Sequence, residues 1–319
     1  MINKFAEKPT IVEIDDERAG QRIDNYLMSL LKGVPRSRIY RLLRKGEVRI
    51  NKGRIKPDYK IKAGDQVRIP PIRVSSNSEP SDQAPADGLL KKIESAIIYQ
   101  DDALLVINKP SGIAVHGGSG IQFGVIEGLR VLYPQEKSLE LVHRLDRDTS
   151  GCLMLARKRS VLKALHEQLR NNEIQKNYIA LVKGQWQGGA QSVDVPLLKN
   201  ILKSGERIVR VDPEGKVAKS IFKPVKRYDI ATLVEIELIT GRTHQIRVHA
   251  AHVGHPVAGD EKYGQRSFNL TMKQRGLNRL FLHAKALHFI HPKTGETMSI
   301  VAPMGKELEQ VLQTCESHT

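Results

Sequence analysis

The chain has 319 residues, of which 40% are hydrophobic and 27% are charged, a composition that excludes collagen-like and wholly disordered chains. No apolar run approaches the roughly 18 residues that a membrane span requires, so no membrane protein is expected. The 51 Lys and Arg residues outnumber the 35 Asp and Glu residues, and the net charge of +16 favours a polyanionic partner, nucleic acid ahead of an anionic membrane surface.

The charge divides the chain into three parts. Residues 1–74 carry 18 Lys and Arg against 9 Asp and Glu. Residues 75–88, SSNSEPSDQAPADG, carry three acids, no base and no large apolar side chain. Such a segment cannot bury enough surface to offset its ordering entropy, so it predicts a flexible linker. The sequence therefore predicts a small basic domain, a linker and a larger domain over residues 89–319.

Two helices are predicted in the small domain. Apolar residues at helical spacing predict the first helix in GQRIDNYLMSLL. The second helix, SRIYRLLRK, is expected to be capped by Ser37 and to end at Gly46. Its apolar residues fall on one side, which predicts a buried face.

Short strands are predicted to follow the helices. EVRINKGRI alternates apolar and polar residues around a turn at 51–53, which indicates a hairpin. YKIKAGDQVRIP predicts a further pair of strands around Gly64 and Asp65. Together these elements predict a small α+β fold.

The second helix of the small domain also carries a basic face. Arg38, Arg41, Arg44 and Lys45 cluster away from its apolar side. Residues 36–73 hold 13 Lys and Arg against 3 acids, and a phosphate backbone requires cations held in such fixed positions. An RNA-binding face is therefore favoured over the alternative, a merely solvated charged face.

The small domain resembles a known RNA-binding fold. The resemblance covers about 50 residues from Gly20 to Ile69 and is carried by Arg22-Ile23-Asp24, Ser37-Arg38, Gly46-Glu47-Val48-Arg49-Ile50-Asn51 and Ala63-Gly64-Asp65. This pattern is similar to the S4 domain, a small RNA-binding (αL-type) fold. S4 domains accompany other RNA-acting domains, so the resemblance implies that the larger domain acts on RNA.

The larger domain mixes strands and helices without strict alternation, which predicts an α+β fold. A helix is expected over residues 160–170 and another over 243–253. The expected strands include a first hairpin at 97–107, runs at 139–142 and 152–156, YIALV, IVRV, TLVEIELI at 232–239, and a late hairpin, LFLHAKALHFI with TMSIVAP.

A charged loop lies between the strands predicted at 139–142 and 152–156. His143 to Asp148 contains five ionisable residues in six positions. Strand ends present reactive groups on a rigid scaffold, so the loop is a candidate catalytic site. The residues alone also suit a turn whose acids pair with Arg144 and Arg147, and this alternative stays open.

A second candidate segment runs from Gly241 to His255. His249, His252 and His255 lie three residues apart, but Gly254 and Pro256 break the helix and no carboxylate or thiolate completes a ligand set, so a metal site is disfavoured. The chain also lacks a P-loop, a Rossmann glycine fingerprint, Gly-x-Ser-x-Gly and Cys-x-x-Cys. A cofactor-free enzyme or a pure binding protein remains.

Four motifs of the larger domain resemble those of the RluA-type pseudouridine synthases and occur in the same order. They are Asn108-Lys109-Pro110-Ser111-Gly112 with Val115-His116, His143-Arg144-Leu145-Asp146 with Thr149-Ser150-Gly151, Lys176-x-Tyr178-x-Ala180, and Gly241 to His249. They span about 150 residues and follow the S4-like domain. The resemblance implies a mixed, mainly antiparallel sheet with flanking helices.

The resemblance also implies roles for single residues. Asp146 would be the catalytic carboxylate, paired with Arg247, and Tyr178 would stack on the base. Arg144 would occupy the space left by a flipped nucleotide, and Asp148 is assigned to the structure of its own loop. Further RNA contacts are expected from His143, Lys109, Arg242 and His244.

The implied reaction is the isomerisation of specific uridines in large-subunit (23S) ribosomal RNA. It is redox-neutral, so no cofactor and no metal are expected, and a monomer is predicted. The alternative is a non-catalytic RNA-binding factor of ribosome assembly. MINKFAEKPT contains no secretory signal, and Cys152 and Cys315 match no disulfide or zinc spacing, so a cytoplasmic protein is expected.

Overall fold

The structure is a computed structural model that describes residues 8–16, 18–31, 34–72, 85–118, 123–201 and 207–316. It divides into two compact units, an N-terminal unit (Met1–Ala84) and a C-terminal unit (Pro85–Thr319). Most of the predicted linker, residues 75–84, lies outside the described residues. Its last residues, Asp87 and Gly88, are helical, since a helix begins at Asp87.

The N-terminal unit is a four-stranded antiparallel sheet with two helices. Its elements are β1 (Thr10–Glu13), α1 (Ile23–Leu30), α2 (Arg36–Lys45), β2 (Arg49–Ile50), β3 (Gly53–Arg54) and β4 (Gln66–Ile69). The strand order is β1-β4-β2-β3. The predicted second pair of strands is wrong, because β4 pairs with β1 and β2 instead of with residues 58–62.

Helix α2 confirms the predicted apolar face and corrects the predicted cap. Ile39, Leu42 and Leu43 are buried against α1 and the sheet. The N-cap position is held by Pro35, whose fixed φ suits a helix start, so Ser37 lies within the first turn. The helix ends at Gly46 with φ +70°, where a Cβ would come within 2.7 Å of Arg54 Nε.

Two buried carboxylates stabilise the N-terminal unit. Asp24 accepts hydrogen bonds from Arg22 and from the Tyr40 hydroxyl, which hold the pKa of Asp24 below its ordinary value. Asp65 accepts hydrogen bonds from Asn51 and Tyr59. These acids of the S4-like pattern therefore connect helices, turns and strands within the unit.

The C-terminal unit is built on a ten-stranded sheet. Its helices are α3 (Asp87–Glu94), α4 (Val125–Leu132), α5 (Arg159–Arg170), α6 (Gln245–His252), α7 (Arg266–Gln274) and α8 (Lys306–Glu316). Its strands are β5 (Ile97–Gln100), β6 (Leu104–Lys109), β7 (Glu140–Leu141), β8 (Ser150–Ala156), β9 (Gln175–Lys183), β10 (Gln191–Asp194), β11 (Leu197–Ile201), β12 (Arg207–Val211), β13 (Lys219–Arg227), β14 (Ala231–Leu238), β15 (Leu282–Ile290) and β16 (Thr297–Val301).

The sheet runs in the order β10-β13-β14-β9-β15-β8-β6-β5, with β16 beside β15 and β7 beside β8, and β11 and β12 form a separate hairpin. Among the described strands every pairing is antiparallel except that of β15 with β8, in which His283 lies opposite Ser150. The predicted mainly antiparallel sheet is therefore confirmed. The parallel pairing brings the start of β15 to the start of β8.

Apolar residues pack on both faces of this sheet. Strand β8 is buried throughout, and its successive side chains alternate between two clusters. Leu153 and Leu155 pack toward α3 and α4, while Cys152 and Met154 pack toward α5. A strand buried on both faces is a rigid support for the loop that precedes it.

Candidate active site

An open cleft of about 1410 Å³ lies in the C-terminal unit where the charged loop 143–149 meets α6. Both segments predicted to carry chemistry contribute to its walls. Its lining includes Arg144, Asp146, His244, Arg247, Lys262 and Arg279.

Asp146 presents a carboxylate to this cleft. Its Oδ2 atom lies 3.6 Å from Arg247 Nη1 and 3.9 Å from His244 Nε2, and its side chain is 26% exposed. Among the described residues none donates a hydrogen bond to this carboxylate. Arg247 and His244 therefore lie near Asp146 without hydrogen bonding to it, and both carboxylate oxygens are available to a ligand.

Arg247 makes its hydrogen bonds to a different acid. Its Nε and Nη2 atoms donate to the two oxygens of Asp260 at 2.7 and 2.8 Å, and both side chains are buried. Burial alone would lower the pKa of Arg247, but the Asp260 carboxylate and the Asp146 charge outweigh it and raise the pKa. The predicted pairing with Asp146 is thus the looser of two contacts.

Asp260 is a site residue that the sequence analysis missed. Its Oδ1 atom also accepts the backbone N–H groups of Lys262 and Tyr263, so Arg247 is held against a fully bonded carboxylate. Gly-Asp-Glu-Lys-Tyr-Gly at 259–264 suits an ordinary turn, and nothing in its spacing reveals a partner on α6. The preceding Gly259 has φ +72°, and a Cβ there would lie 2.1 Å from the Arg279 carbonyl.

His244 occupies the N-cap of α6 in a left-handed conformation, with φ 54°. This conformation explains why the helix predicted from residue 243 begins at Gln245, whose buried side chain bonds to the backbone of Arg242. His244 Nδ1 lies 2.8 Å from the Tyr263 hydroxyl. Burial lowers the pKa of His244 despite the opposing charge of Asp146, so the ring is neutral at neutral pH.

Tyr178 lies on β9 beside a side cavity of about 70 Å³ that Asp146 and Arg247 also line. Tyr178 is buried, and burial followed by the nearby Asp146 charge raises its pKa. Its hydroxyl has no hydrogen-bond partner within the part of the chain that the structure describes. The side cavity thus offers an aromatic ring and a protonated hydroxyl close to the carboxylate.

Lys109 does not face RNA, contrary to the sequence prediction. Its side chain is fully buried, and Nζ donates to the carbonyl oxygens of Pro110, Ile113 and Arg147 at 2.8–2.9 Å. An ammonium has three donors, so these carbonyls satisfy it completely. Lys109 therefore joins its own segment to the loop that carries Asp146.

Two further bonds strengthen this junction. The Gly112 amide donates to the Arg147 carbonyl, and the Ser111 hydroxyl donates to the Asp148 carbonyl. The Asp148 side chain pairs with its exposed neighbour Arg147 at 3.2 Å. Asp148 thus has the position expected of a residue that serves its own loop.

Replacing Lys109 by methionine is expected to lower the free energy of unfolding by roughly 3 kcal/mol, because it removes three part-buried hydrogen bonds, each worth about 1 kcal/mol. Burial lowers the pKa of Lys109 from 10.5 to about 7. Between pH 7 and pH 10 Lys109 is protonated in the unfolded chain and largely deprotonated in the folded chain, so it makes the free energy of unfolding rise with pH. The deficit of the variant should therefore grow from pH 7 to pH 10.

Urea unfolding followed by the fluorescence of Trp186 measures this effect, since the chain contains one tryptophan and it is buried in the C-terminal unit. Lys158→Met is the control, because Lys158 is an exposed lysine paired with Asp102. Equal stability and equal pH dependence in the two variants would contradict the role given to Lys109.

His143 also has a structural position in place of the predicted RNA contact. Its Nε2 atom accepts the backbone N–H of Met154 on β8 at 3.1 Å. Burial lowers the pKa of His143 to about 4, so the ring stays neutral and serves as an acceptor. Because the ring accepts this hydrogen bond from β8, it points into the sheet and not toward RNA.

Arg144 and Arg242 are exposed at the site, as their predicted roles require. Arg144 lines both the cleft and the side cavity. Arg242 lines the side cavity, and its Nε donates to the Val217 carbonyl at 3.0 Å. Their contacts with RNA stay predictions.

The basic residues of α2 lie away from its apolar face. Arg41, Arg44 and Lys45 are exposed, and Arg38 is half-buried. This arrangement agrees with the predicted basic face, and its contact with RNA stays a prediction.

The three histidines of the segment after Gly241 point to separate partners. His249 is buried and faces the Val195 carbonyl, His252 is exposed, and His255 faces the Lys183 carbonyl. Within the described ranges no group of three His, Cys, Asp or Glu residues is placed to hold a metal ion. None of the helices described there is long and apolar enough to cross a membrane.

Comparison with known proteins follows the division into two units. Residues 103–252 match the RNA pseudouridylate synthase family, and residues 21–67 match the S4 domain. The chain is 60% identical over 305 residues, 95% of each chain, to ribosomal large subunit pseudouridine synthase C of Escherichia coli (strain K12). The protein of the same name from Salmonella typhi is 59% identical over 309 residues, 96% of this chain and 97% of its own.

Solved structures agree. Human RNA pseudouridylate synthase domain containing 4 superposes with a TM-score of 0.60 and 26% identity, covering 72% of this chain and 96% of its own. Human RNA pseudouridylate synthase domain containing 1 gives a TM-score of 0.55 at 22% identity, covers 74% and 98%, and shows the shared fold. These matches confirm the fold class that the sequence predicts.

Proposed function

Because this chain belongs to the RNA pseudouridylate synthase family, we propose that it converts specific uridines of large-subunit ribosomal RNA to pseudouridine. The ribosomal substrate is inferred from the bacterial relatives, which match nearly the whole chain. The observation that carries the proposal is the Asp146 carboxylate, which faces an open cleft and accepts no hydrogen bond from any described residue. We assign the catalytic role to Asp146.

The reaction conserves every atom of the nucleotide. The N1–C1′ bond breaks, the detached uracil turns, and a C5–C1′ bond forms, while C5 loses a proton and N1 gains one. Nothing is oxidised or reduced, so no cofactor or metal is invoked. Asp146 acts at the sugar, by attack on C1′ or by assisting loss of the C2′ proton, and both routes require an ionised carboxylate.

Neighbouring groups support this use of Asp146. Arg247 places a permanent positive charge 3.6 Å from the carboxylate, which orients the carboxylate once RNA excludes water. Tyr178 offers a ring to stack on the base and a protonated hydroxyl within the side cavity. The target nucleotide must leave its stack to reach Asp146, and we assign the vacated space to the exposed Arg144.

Purified protein incubated with an unmodified large-subunit RNA transcript tests the proposal. Pseudouridine mapping should show conversion of discrete uridines, and the same conversion in the presence of EDTA. RNA binding without conversion would favour the non-catalytic assembly factor, and loss of activity with EDTA would favour a metal-dependent mechanism.

We infer that the N-terminal unit supplies much of the salt-sensitive RNA affinity, because residues 1–74 carry an excess of nine positive charges. Replacing Arg41, Arg44 and Lys45 together by glutamine should weaken binding and reduce the slope of log affinity against log salt by about 2, at roughly 0.7 per lost phosphate contact. Binding measured across a salt series gives this slope.

A matched control replaces three exposed lysines that do not line the cleft, Lys91, Lys92 and Lys163, so that the net charge changes equally. Equal slopes in the two triple variants would remove the basic face of α2 from the RNA interface. A fragment that begins at Pro85 keeps α3 whole and should convert RNA at high concentration with lower affinity.

We further propose that the protein acts as a monomer in the cytoplasm. Both cysteines are buried and neither forms a disulfide, which suits a reducing compartment. Size-exclusion chromatography with light scattering tests the monomer.

A further inference from the structure

We propose that Arg279 binds a phosphate of the RNA strand beside the target nucleotide, an inference that rests on the proposed function. Arg279 precedes β15 and lines the same cleft as Asp146. It lies outside residues 103–252, so the family match does not include it.

Two of the five N–H groups of Arg279 are used within the protein. Nη2 donates to the Ser150 hydroxyl at 2.6 Å, and Nε donates to the Leu280 carbonyl at 3.2 Å. Among the described residues no acceptor takes the N–H groups of Nη1. The remaining donors of this half-buried guanidinium are therefore available to a ligand in the cleft.

Arg279 differs from three other buried or partly buried arginines of the C-terminal unit. Arg157, Arg247 and Arg275 each contact a carboxylate, those of Glu136, Asp260 and Asp229. For Arg279 no described carboxylate comes within 4.0 Å. Burial lowers the pKa of Arg279, and the more distant carboxylates of Glu307 and Asp148 offset this only in part, so a bound anion would stabilise the guanidinium further.

A buried chain of hydrogen bonds holds Arg279 in position. Ser150 Oγ lies 2.9 Å from His283 Nδ1, and His283 Nε2 lies 3.0 Å from the Ala302 carbonyl. Since a carbonyl only accepts, Nε2 carries the proton, Nδ1 accepts the Ser150 hydroxyl, and Ser150 Oγ remains free to accept from Arg279. Ser150 and His283 are thus positioning residues, brought together by the parallel pairing of β8 and β15.

The hydrogen bonds that hold Arg279 also fix where the anion would bind. Ser150 follows Asp146 by four residues at the start of the rigid strand β8. Lys109 supports the Asp146 loop and lies close to Arg279, because the Arg279 charge helps to lower the pKa of Lys109. A nucleotide whose sugar reaches Asp146 therefore brings a neighbouring phosphate to Arg279, and a guanidinium fork suits two phosphate oxygens.

A methylphosphonate scan tests the inference with the full-length protein. The RNA is the shortest large-subunit fragment that the wild-type protein converts, and each phosphate near the target is replaced singly to remove its charge. For the wild type, one position should weaken binding by about 10-fold, the value of a charge-assisted hydrogen bond. Arg279→Gln should weaken binding of unsubstituted RNA by about 10-fold. For this variant, a methylphosphonate at that one position should weaken binding no further, while the other positions should behave as in the wild type.

Arg130→Gln is the matched control, because Arg130 pairs with Glu140 and does not line the cleft. It should keep the wild-type pattern. Ser150→Ala leaves the Arg279 charge in place but releases its support, so the penalty at the same position should shrink while the others stay. A loss confined to one phosphate position distinguishes a positioning role of Ser150 from a general effect on folding. The Ser150→Ala variant also tests the inference if Arg279→Gln does not fold.

The outcomes separate this inference from the proposed function. A wild-type protein that converts no RNA would overturn both. If the wild type converts RNA but folded Arg279→Gln shows the same loss of binding at every methylphosphonate position, the inference alone is overturned. If Arg279→Gln does not fold, the same result in Ser150→Ala overturns it.

Discussion

Asp146→Asn is expected to reduce pseudouridine formation by about 1,000-fold or more, the order expected when a group that acts in the transition state is lost. The amide has the same size, and no described residue donates a hydrogen bond to the carboxylate, so the fold should be unchanged. RNA binding should be retained or slightly strengthened, because a negative charge facing a polyanion is removed. Single-turnover conversion and equilibrium binding of the same RNA measure the two effects.

Asp148→Asn is the matched control for this prediction. Asp148 belongs to the same loop, but its carboxylate is 44% exposed and pairs with Arg147. Exposed pairs of this kind contribute about 0–1 kcal/mol, so its activity should stay near the wild-type value. Equal losses in both variants would show that the loop, and not the Asp146 carboxylate, had been disturbed.

Arg247→Ala is expected to lower the free energy of unfolding by about 3–5 kcal/mol, the cost of breaking a buried ion pair by removing one partner. The uncompensated charge is chiefly that of Asp260, whose side chain is 1% exposed, with Asp146 losing a more distant neighbour. Catalysis should fall as well. Urea unfolding followed at Trp186 and single-turnover conversion measure stability and catalysis.

Asp260→Leu should resemble Arg247→Ala in stability, because it leaves the guanidinium uncompensated. The double variant Arg247→Met with Asp260→Leu should be less destabilised than the sum of the single changes, since no buried charge then remains alone. Activity should remain low in that double variant. Additive losses, or near-normal rates in Arg247→Ala, would contradict the pairing.

Local sequence patterns predicted the local structure well. Ile39, Leu42 and Leu43 revealed the buried face of α2, and residues 97–107 revealed the hairpin of β5 and β6, because these elements depend on spacing within one segment. The boundaries depended on single backbone conformations. The left-handed His244 shortened α6, and Pro35 displaced the predicted cap of α2.

The candidate site was predicted only in part. The motifs placed Asp146, Tyr178 and Arg247 around one side cavity, yet the same motifs contain Lys109 and His143, whose polar atoms bond to the backbone. A motif gives the position of a polar residue and not the direction of its side chain.

The remaining site residues depend on contacts distant in sequence. Asp260 contacts Arg247 across a turn. Arg279 and Ser150 are 129 residues apart in the sequence, and the parallel pairing of β8 with β15 brings them into contact. No local pattern carries such information, because the register between β8 and β15 is set only when the whole sheet assembles.

Pseudouridine mapping of large-subunit ribosomal RNA from a strain lacking this protein tests the central claim most directly. Specific pseudouridines should be absent from that strain, should return with a plasmid encoding the wild-type protein, and should stay absent with Asp146→Asn produced at the same level. An unchanged map in the deletion strain, or full restoration by Asp146→Asn, would contradict the account.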